Sequence, residues 1–267
     1  MADRPPPAPG SALVRDLARV IDRRRALGLV AAGLGGAMAS ACSGRAVAAA
    51  DGAACLPTPI EIKGPFPADG SNGRPRPVNV LDLADVVRRD IRPSFAGLAG
   101  RADGVPLDLT LTLVDQSGCT PLAGHALYLW QNDAAGEYSL YTMPQANYLR
   151  GMQAADAAGQ VRFTTIVPGC YGGRTPHCHL EVYASLAAAR SGAPPLLVSQ
   201  LAFPDAPCRA IYTTDSRYGA SLANLDRWPI PRDFVFADGS PEIQAAQTVA
   251  MAGAPATGFS GTATITL

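Results

Sequence analysis

Lysine is almost missing from this chain: Lys63 is the single one in 267 residues. Histidine is scarce too, with three. The formal net charge is +0 and only 16% of residues are charged, so no field of one sign exists to gather nucleic acid or an acidic surface. The six cysteines (Cys42, Cys55, Cys119, Cys170, Cys178 and Cys208) contain no Cys-x-x-Cys pair, which excludes a zinc ribbon or a thioredoxin-like redox motif. There is no internal repeat, no phosphate-cradling glycine loop, and no apolar run of the ~20 residues that a membrane span needs. What is present in quantity is apolar residues (48%) and proline (24 residues), the mixture of a loop-rich globular domain rather than a helical bundle.

The first fifty residues read as a segment apart. Asp22-Arg23-Arg24-Arg25-Ala26-Leu27 is a basic stretch of twin-arginine type. Ala26 to Ala41 follows as a short apolar run rich in Ala and Gly, ending in the small residues Ala39-Ser40-Ala41. A basic, then apolar, then small-residue order marks an export signal. The twin-arginine and general secretory routes both fit it. Cys42 stands after a box of lipoprotein type, and cleavage at Ala48-Ala49-Ala50 would instead free a soluble protein. The expected organisation is therefore an export signal and flexible segment over 1–50 and one domain over 51–267, outside the cytoplasm. Membrane contact is expected only through the signal or a lipid on Cys42. An oxidising compartment permits up to two disulfides among the other five cysteines.

The middle of the chain alternates. Leu107–Val114 places apolar residues at every second position, as a half-buried strand does. His125–Gln131, Gln160–Ile166, His177–Tyr183 and Leu196–Phe203 read as further strands, separated by turns such as Asp115-Gln116-Ser117-Gly118. Val78–Arg89 is a short helix or strand. Short strands at this spacing predict an all-β fold, a single β-sandwich with extended loops. The pattern is shared with small prealbumin-like sandwiches that only bind, so spacing alone leaves a noncatalytic module open.

One stretch breaks that balance: Tyr171-Gly172-Gly173-Arg174-Thr175-Pro176-His177-Cys178-His179. Residues i and i+2 of a strand share a face, so two of the three imidazoles are aimed at one spot. Glu181 continues that face, which keeps a His-His-Glu site as an alternative. Cys178 points the other way, and His125 reads as structural.

Gly136-Glu137-Tyr138-Ser139, then Pro168-Gly169-Cys170-Tyr171, then Arg174-x-x-His177-x-His179, together resemble the intradiol ring-cleaving dioxygenases. Arg89-Asp90-Ile91, Gly104-Val105-Pro106-Leu107, Cys119-Thr120-Pro121-Leu122, Tyr148-Leu149-Arg150-Gly151 and Gln200 to Asp205 add to the likeness, which covers about residues 55–205. The resemblance implies a non-haem Fe(III) cofactor held by Tyr138, Tyr171, His177 and His179. It also implies a small aromatic diol and O2 as partners in the reaction. The ring would be cut between its two hydroxyl-bearing carbons to a muconate-type diacid that keeps both oxygen atoms. Phenolate is the hard anionic donor that suits ferric iron. By the same resemblance Tyr171 takes a substrate proton, Arg174 stabilises charge developing on the ring, and Gln200 supports it. Trp130 and Asp133 are expected to pin the turn that aims Tyr138. Three departures fall near the substrate: a short spacing between Tyr171 and His177, Cys170 at a position usually aromatic, and Pro65-Phe66-Pro67 where a Gly-Pro-aromatic-aromatic run is usual. The competing class is a noncatalytic exported sandwich or a degenerate enzyme.

Overall fold

The computed structural model describes residues 56–72 and 78–267. The signal segment, Cys42 and Cys55 lie outside the described residues. Two four-stranded sheets face each other, ordered β4-β1-β8-β7 and β3-β2-β5-β6. The strands are β1 (Pro106–Val114), β2 (Ala126–Trp130), β3 (Arg150–Ala154), β4 (Gln160–Ile166), β5 (His177–Tyr183), β6 (Leu197–Ala202), β7 (Ala250–Ala254) and β8 (Gly258–Thr266). Among the described residues helices are short: α1 (Leu186–Arg190), α2 (Asp205–Thr214), α3 (Ser221–Arg227) and α4 (Pro241–Ala246). The expected all-β sandwich is the observed one.

The alternation in β1 does what its period dictates. Leu107, Leu109, Leu111 and Leu113 are all sealed in the core between the sheets, while Asp108 faces out to bond Thr164 across β4. Burying one such leucine is worth ~1.5–3 kcal/mol, so this single face anchors the sheet. Along β5, Cys178, Leu180 and Val182 enter the same core. His177, His179, Glu181 and Tyr183 project to the other side of the sheet.

That other side is not solvent. Every residue of β2 and β5 is buried. A second apolar layer covers them, in which Ala68, Val80, Leu81, Val86 and Phe95 pack on Tyr128, Trp130 and Tyr183. The segment from Thr58 to Asp69 runs over it as a strap. It is tied by Thr58 N–H to Thr266 O (3.1 Å), Glu61 N–H to Val198 O (2.9 Å), Ser199 Oγ–H to Pro59 O (2.7 Å) and Gln200 Nε2–H to Ile62 O (2.7 Å). The expected element at 78–89 shrinks to a 3₁₀ turn at Ala84–Val86, because this stretch caps the layer instead of extending as a strand.

Candidate metal centre

β5 carries the first two donors. His177 pairs with Ala202 of β6, and His179 lies between Trp130 of β2 and Gln200 of β6. The indole of Trp130 stacks on His179 at 5.0 Å and 6°. Gly64 of the strap sits at the Cε1 corner of the ring, where an added Cβ would stand 3.0 Å from His179 Cε1. Only a glycine lets the strap pass that close, and its φ of +76° suits glycine too. His177 Nδ1 lies 2.7 Å from Thr175 O, so Nδ1 carries the proton and Nε2 presents its lone pair.

Tyr138 arrives on the turn after β2. Asp133 builds that turn: its Oδ1 accepts from the backbone N–H groups of Ala135 and Glu137 (both 3.0 Å), and its Oδ2 from Tyr148 Oη–H (2.8 Å). Asp133 thus pins the turn as expected, whereas Trp130 stacks on His179 and Tyr128. Gly136 takes φ +89° and lets Tyr171 pack against the turn, since a Cβ there would lie 3.2 Å from Tyr171 Cβ. The loop bearing Tyr171 is held from below by α2 and α3. Tyr212 Oη–H donates to Pro168 O (2.7 Å), Ser221 Oγ accepts from Cys170 N–H (2.9 Å), and Asn224 Nδ2–H donates to Cys170 O (2.7 Å).

The outcome is a cluster of four donor atoms. Tyr138 Oη lies 3.2 Å from His179 Nε2, Tyr171 Oη 3.1 Å from His177 Nε2, and the two Nε2 atoms 3.2 Å apart. Burial, reinforced by the Arg174 charge, pushes both imidazoles well below their usual range, so both stay neutral, the form that binds metals. Burial also raises both phenols, most strongly Tyr138, whose neighbour Tyr171 adds to the effect, while Arg174 pulls Tyr171 back. Two hard oxygens and two imidazole lone pairs converging in a dry site fit a ferric ion, whose charge would hold the phenols deprotonated.

Arg174 is buried beside them. Its Nε donates to Asp233 Oδ2 (2.9 Å), its Nη2 to Gln200 Oε1 (2.6 Å), and its Nη1 lies 3.2 Å from His177 Nε2. All six residues singled out from the sequence (Tyr138, Tyr171, Arg174, His177, His179 and Gln200) therefore meet at one place.

The alternative with Glu181 as a ligand is not formed. Glu181 is fully buried but pairs with Lys63 Nζ at 2.6 Å and accepts from Tyr183 Oη–H at 2.7 Å. Among the described residues no three His, Cys, Asp or Glu side chains group as a metal would need. The cluster escapes that description because half of its donors are phenols. Cys170 and Cys178 are free thiols that burial pushes up to about 12, which leaves them unreactive. Cys208 is also free, and Cys119 is disulfide-bonded.

Several supporting groups had no sequence reading. Asp233 comes from a distant loop with no motif around it. Arg150 is fully buried and donates to Ser139 Oγ (3.0 Å), Ser139 O (2.9 Å) and Phe66 O (2.9 Å), tying the strap to the Tyr138 turn. Phe66 lies on Tyr138 at 4.7 Å between ring centroids. A signal for it existed, because Gly64-Pro65-Phe66 keeps a Gly-Pro-aromatic order and only Pro67 departs from that run.

A family model described as dioxygenase matches residues 93–205, the span that contains all six clustered residues. No curated protein matches the sequence. Among solved structures, an intradiol ring-cleavage dioxygenase from Tetranychus urticae is 21% identical, covering 79% of this chain and 94% of its own, with a TM-score of 0.56. The dioxygenase Tetur07g02040 is 23% identical over the same shares, with a TM-score of 0.59. The dioxygenase domain of a carbohydrate-binding fusion from Streptomyces sp. SirexAA-E is 27% identical, covering 79% and 98%, with a TM-score of 0.47. The dioxygenase family model thus matches the span that carries the cluster, and the chain shares the fold of an intradiol ring-cleavage dioxygenase.

Proposed function

We propose that this chain is an exported Fe(III)-dependent dioxygenase that cleaves a catechol-type ring between its hydroxyl-bearing carbons, using O2, to a muconate-type diacid. The observation that carries the reading is the convergence of two phenol oxygens and two imidazole nitrogens at 3.1–3.2 Å. Tyr138, Tyr171, His177 and His179 would hold the iron. When bound, ferric iron supplies a Lewis acid that draws electron density from a catecholate.

The remaining work falls to the chain itself. Tyr138 is sealed under Phe66, whereas Tyr171 is partly exposed at the edge of the cluster. Tyr171 is therefore the phenol placed to meet a substrate hydroxyl and take its proton. Arg174 offers a fixed cation for charge that develops on the ring, and a guanidinium in a dry pocket acts more strongly than one in water. Gln200 keeps the fork of Arg174 in one direction. Thr175 O fixes the tautomer of His177, and the Trp130 stack fixes the plane of His179. The strap and the layer beneath it keep water from this side of the cluster.

Export, and any lipid on Cys42, belong to this proposal as well. The test is substitution at the cluster: Tyr138→Phe and His179→Ala are each expected to lose bound iron and catechol cleavage while keeping the circular dichroism of the fold. Normal turnover by both variants would refute the ligand assignment.

A further inference from the structure

Asp233 is fully buried, lies outside residues 93–205, and turns its carboxylate on the charged edge of the centre. Three N–H groups converge on it: Arg174 Nε at 2.9 Å, Thr175 N at 2.6 Å and Val235 N at 2.9 Å. The Arg174 contact is also an ion pair between two side chains that solvent barely reaches. Phe234 and Phe236 lie against the guanidinium at 5.0 and 6.0 Å. With Nε on Asp233 and Nη2 on Gln200, the planar fork has one direction left, and its Nη1 edge lies at His177 Nε2.

We infer that Asp233 is a positioning residue for the reaction, acting through Arg174; this rests on the function proposed above. A lone buried guanidinium would be costly and free to swing toward solvent. The carboxylate neutralises it and sets its aim, so that Arg174 meets charge on the substrate without reorganising. The bond to Thr175 N steadies the residue whose carbonyl holds His177, but that bond needs only an acceptor oxygen. Asparagine can keep it, and loses the ion pair with Arg174.

The experiment compares the wild type, Asp233→Asn, Arg174→Gln and the double variant, with unsubstituted catechol as the probe. Asp233→Asn is expected to keep wild-type iron content and tyrosinate colour. Its kcat should fall roughly 10- to 100-fold, the scale of a misplaced catalytic group, with KM changed by no more than about threefold. In the Arg174→Gln background the same substitution should change kcat by less than about twofold. Equal losses in both backgrounds, or loss of iron from Asp233→Asn, would show a merely structural role and overturn the inference. If Asp233→Asn fails to fold, Arg174→Lys decides: it keeps the charge and loses the fork, so iron should stay while kcat falls, and normal turnover would overturn the inference. Proton exchange at Arg174 Nε, read by 15N NMR, should be slow in the wild type and fast in Asp233→Asn. That response in a protein inactive on every catechol would uphold the pairing and sink the proposed reaction instead.

Discussion

Alanine at position 64 tests how tightly the strap is fitted over His179. The new Cβ would lie 3.0 Å from His179 Cε1, with Nδ1 at 3.7 Å and Nε2 at 3.8 Å. Carbon atoms rest at ~3.5–4.0 Å, so the closest contact is overlapped by about half an ångström or more. The ring cannot retreat freely, because Trp130 is stacked on it 5.0 Å away. Gly64 also has φ +76°, where an L-residue pays ~1–2 kcal/mol. Gly192 separates the two costs. It has nearly the same φ, +75°, and nothing within 4 Å of its added Cβ. Gly192→Ala should therefore show the backbone cost alone, about 1 kcal/mol in urea unfolding. Gly64→Ala should add about 1–2 kcal/mol of overpacking. It should also hold iron several-fold more weakly in competition with a chelator, and shift the tyrosinate charge-transfer band. Equal stability of the two variants, with unchanged iron affinity in Gly64→Ala, would refute the close fit.

Other expectations follow from the same strap and its neighbours. Lys63→Met strands the fully buried Glu181 carboxylate, which Lys63 meets at 2.6 Å, and also removes the partner of Asp69. It should cost about 2–4 kcal/mol, somewhat below the usual range for breaking a buried pair because Lys63 is part-exposed. Adding Glu181→Gln should recover much of that loss, and additive losses in urea unfolding would count against the pairing. Asp90 is held at about 2 rather than 3.8, chiefly by the Arg92 guanidinium. Its folded value lies below its unfolded one, so its stabilisation is full above the unfolded value and fades as pH falls through about 2. The stability gap between wild type and Asp90→Asn should be small, because the pair is solvent-screened. It should be level near neutrality and close in acid, and a gap that widens in acid would contradict the assignment.

What could be read from the sequence was local. The face shared by His177 and His179 follows from a spacing of two, and the alternating leucines of β1 named their own core side. β8 has the same alternation through Phe259, Gly261, Ala263 and Ile265, yet its signal is weak because its core face is small. Gly261 cannot be larger: an added Cβ would stand 2.9 Å from Val249 Cγ1 and 3.2 Å from Leu107 Cδ1. Alternation reports one face at a time, so it carried no sign that both faces of β2 and β5 are buried. Trp130, Tyr128 and Tyr183 cover the other face with aromatic side chains whose partners, Ala68 and Val80, lie far back in the chain. Glu181 shows the limit of spacing most plainly. Alternation put it on the histidine face, but its partner Lys63 lies over a hundred residues earlier, and that pairing takes it away from the donor cluster. Asp233 is equally invisible, since it is 59 positions from Arg174 and sits in no recurring pattern.

Tyr138, Tyr171, His177 and His179 are proposed to hold a ferric ion that serves ring cleavage. The most direct test is one preparation, grown with iron, assayed for metal content and visible colour and then given unsubstituted and substituted catechols under labelled oxygen. The expected result is about one iron per chain, a red-brown tyrosinate charge-transfer colour, and a muconate-type diacid carrying both labelled atoms. A colourless protein without iron after supplementation, or an iron-loaded one that consumes no oxygen with any catechol, would contradict the proposal.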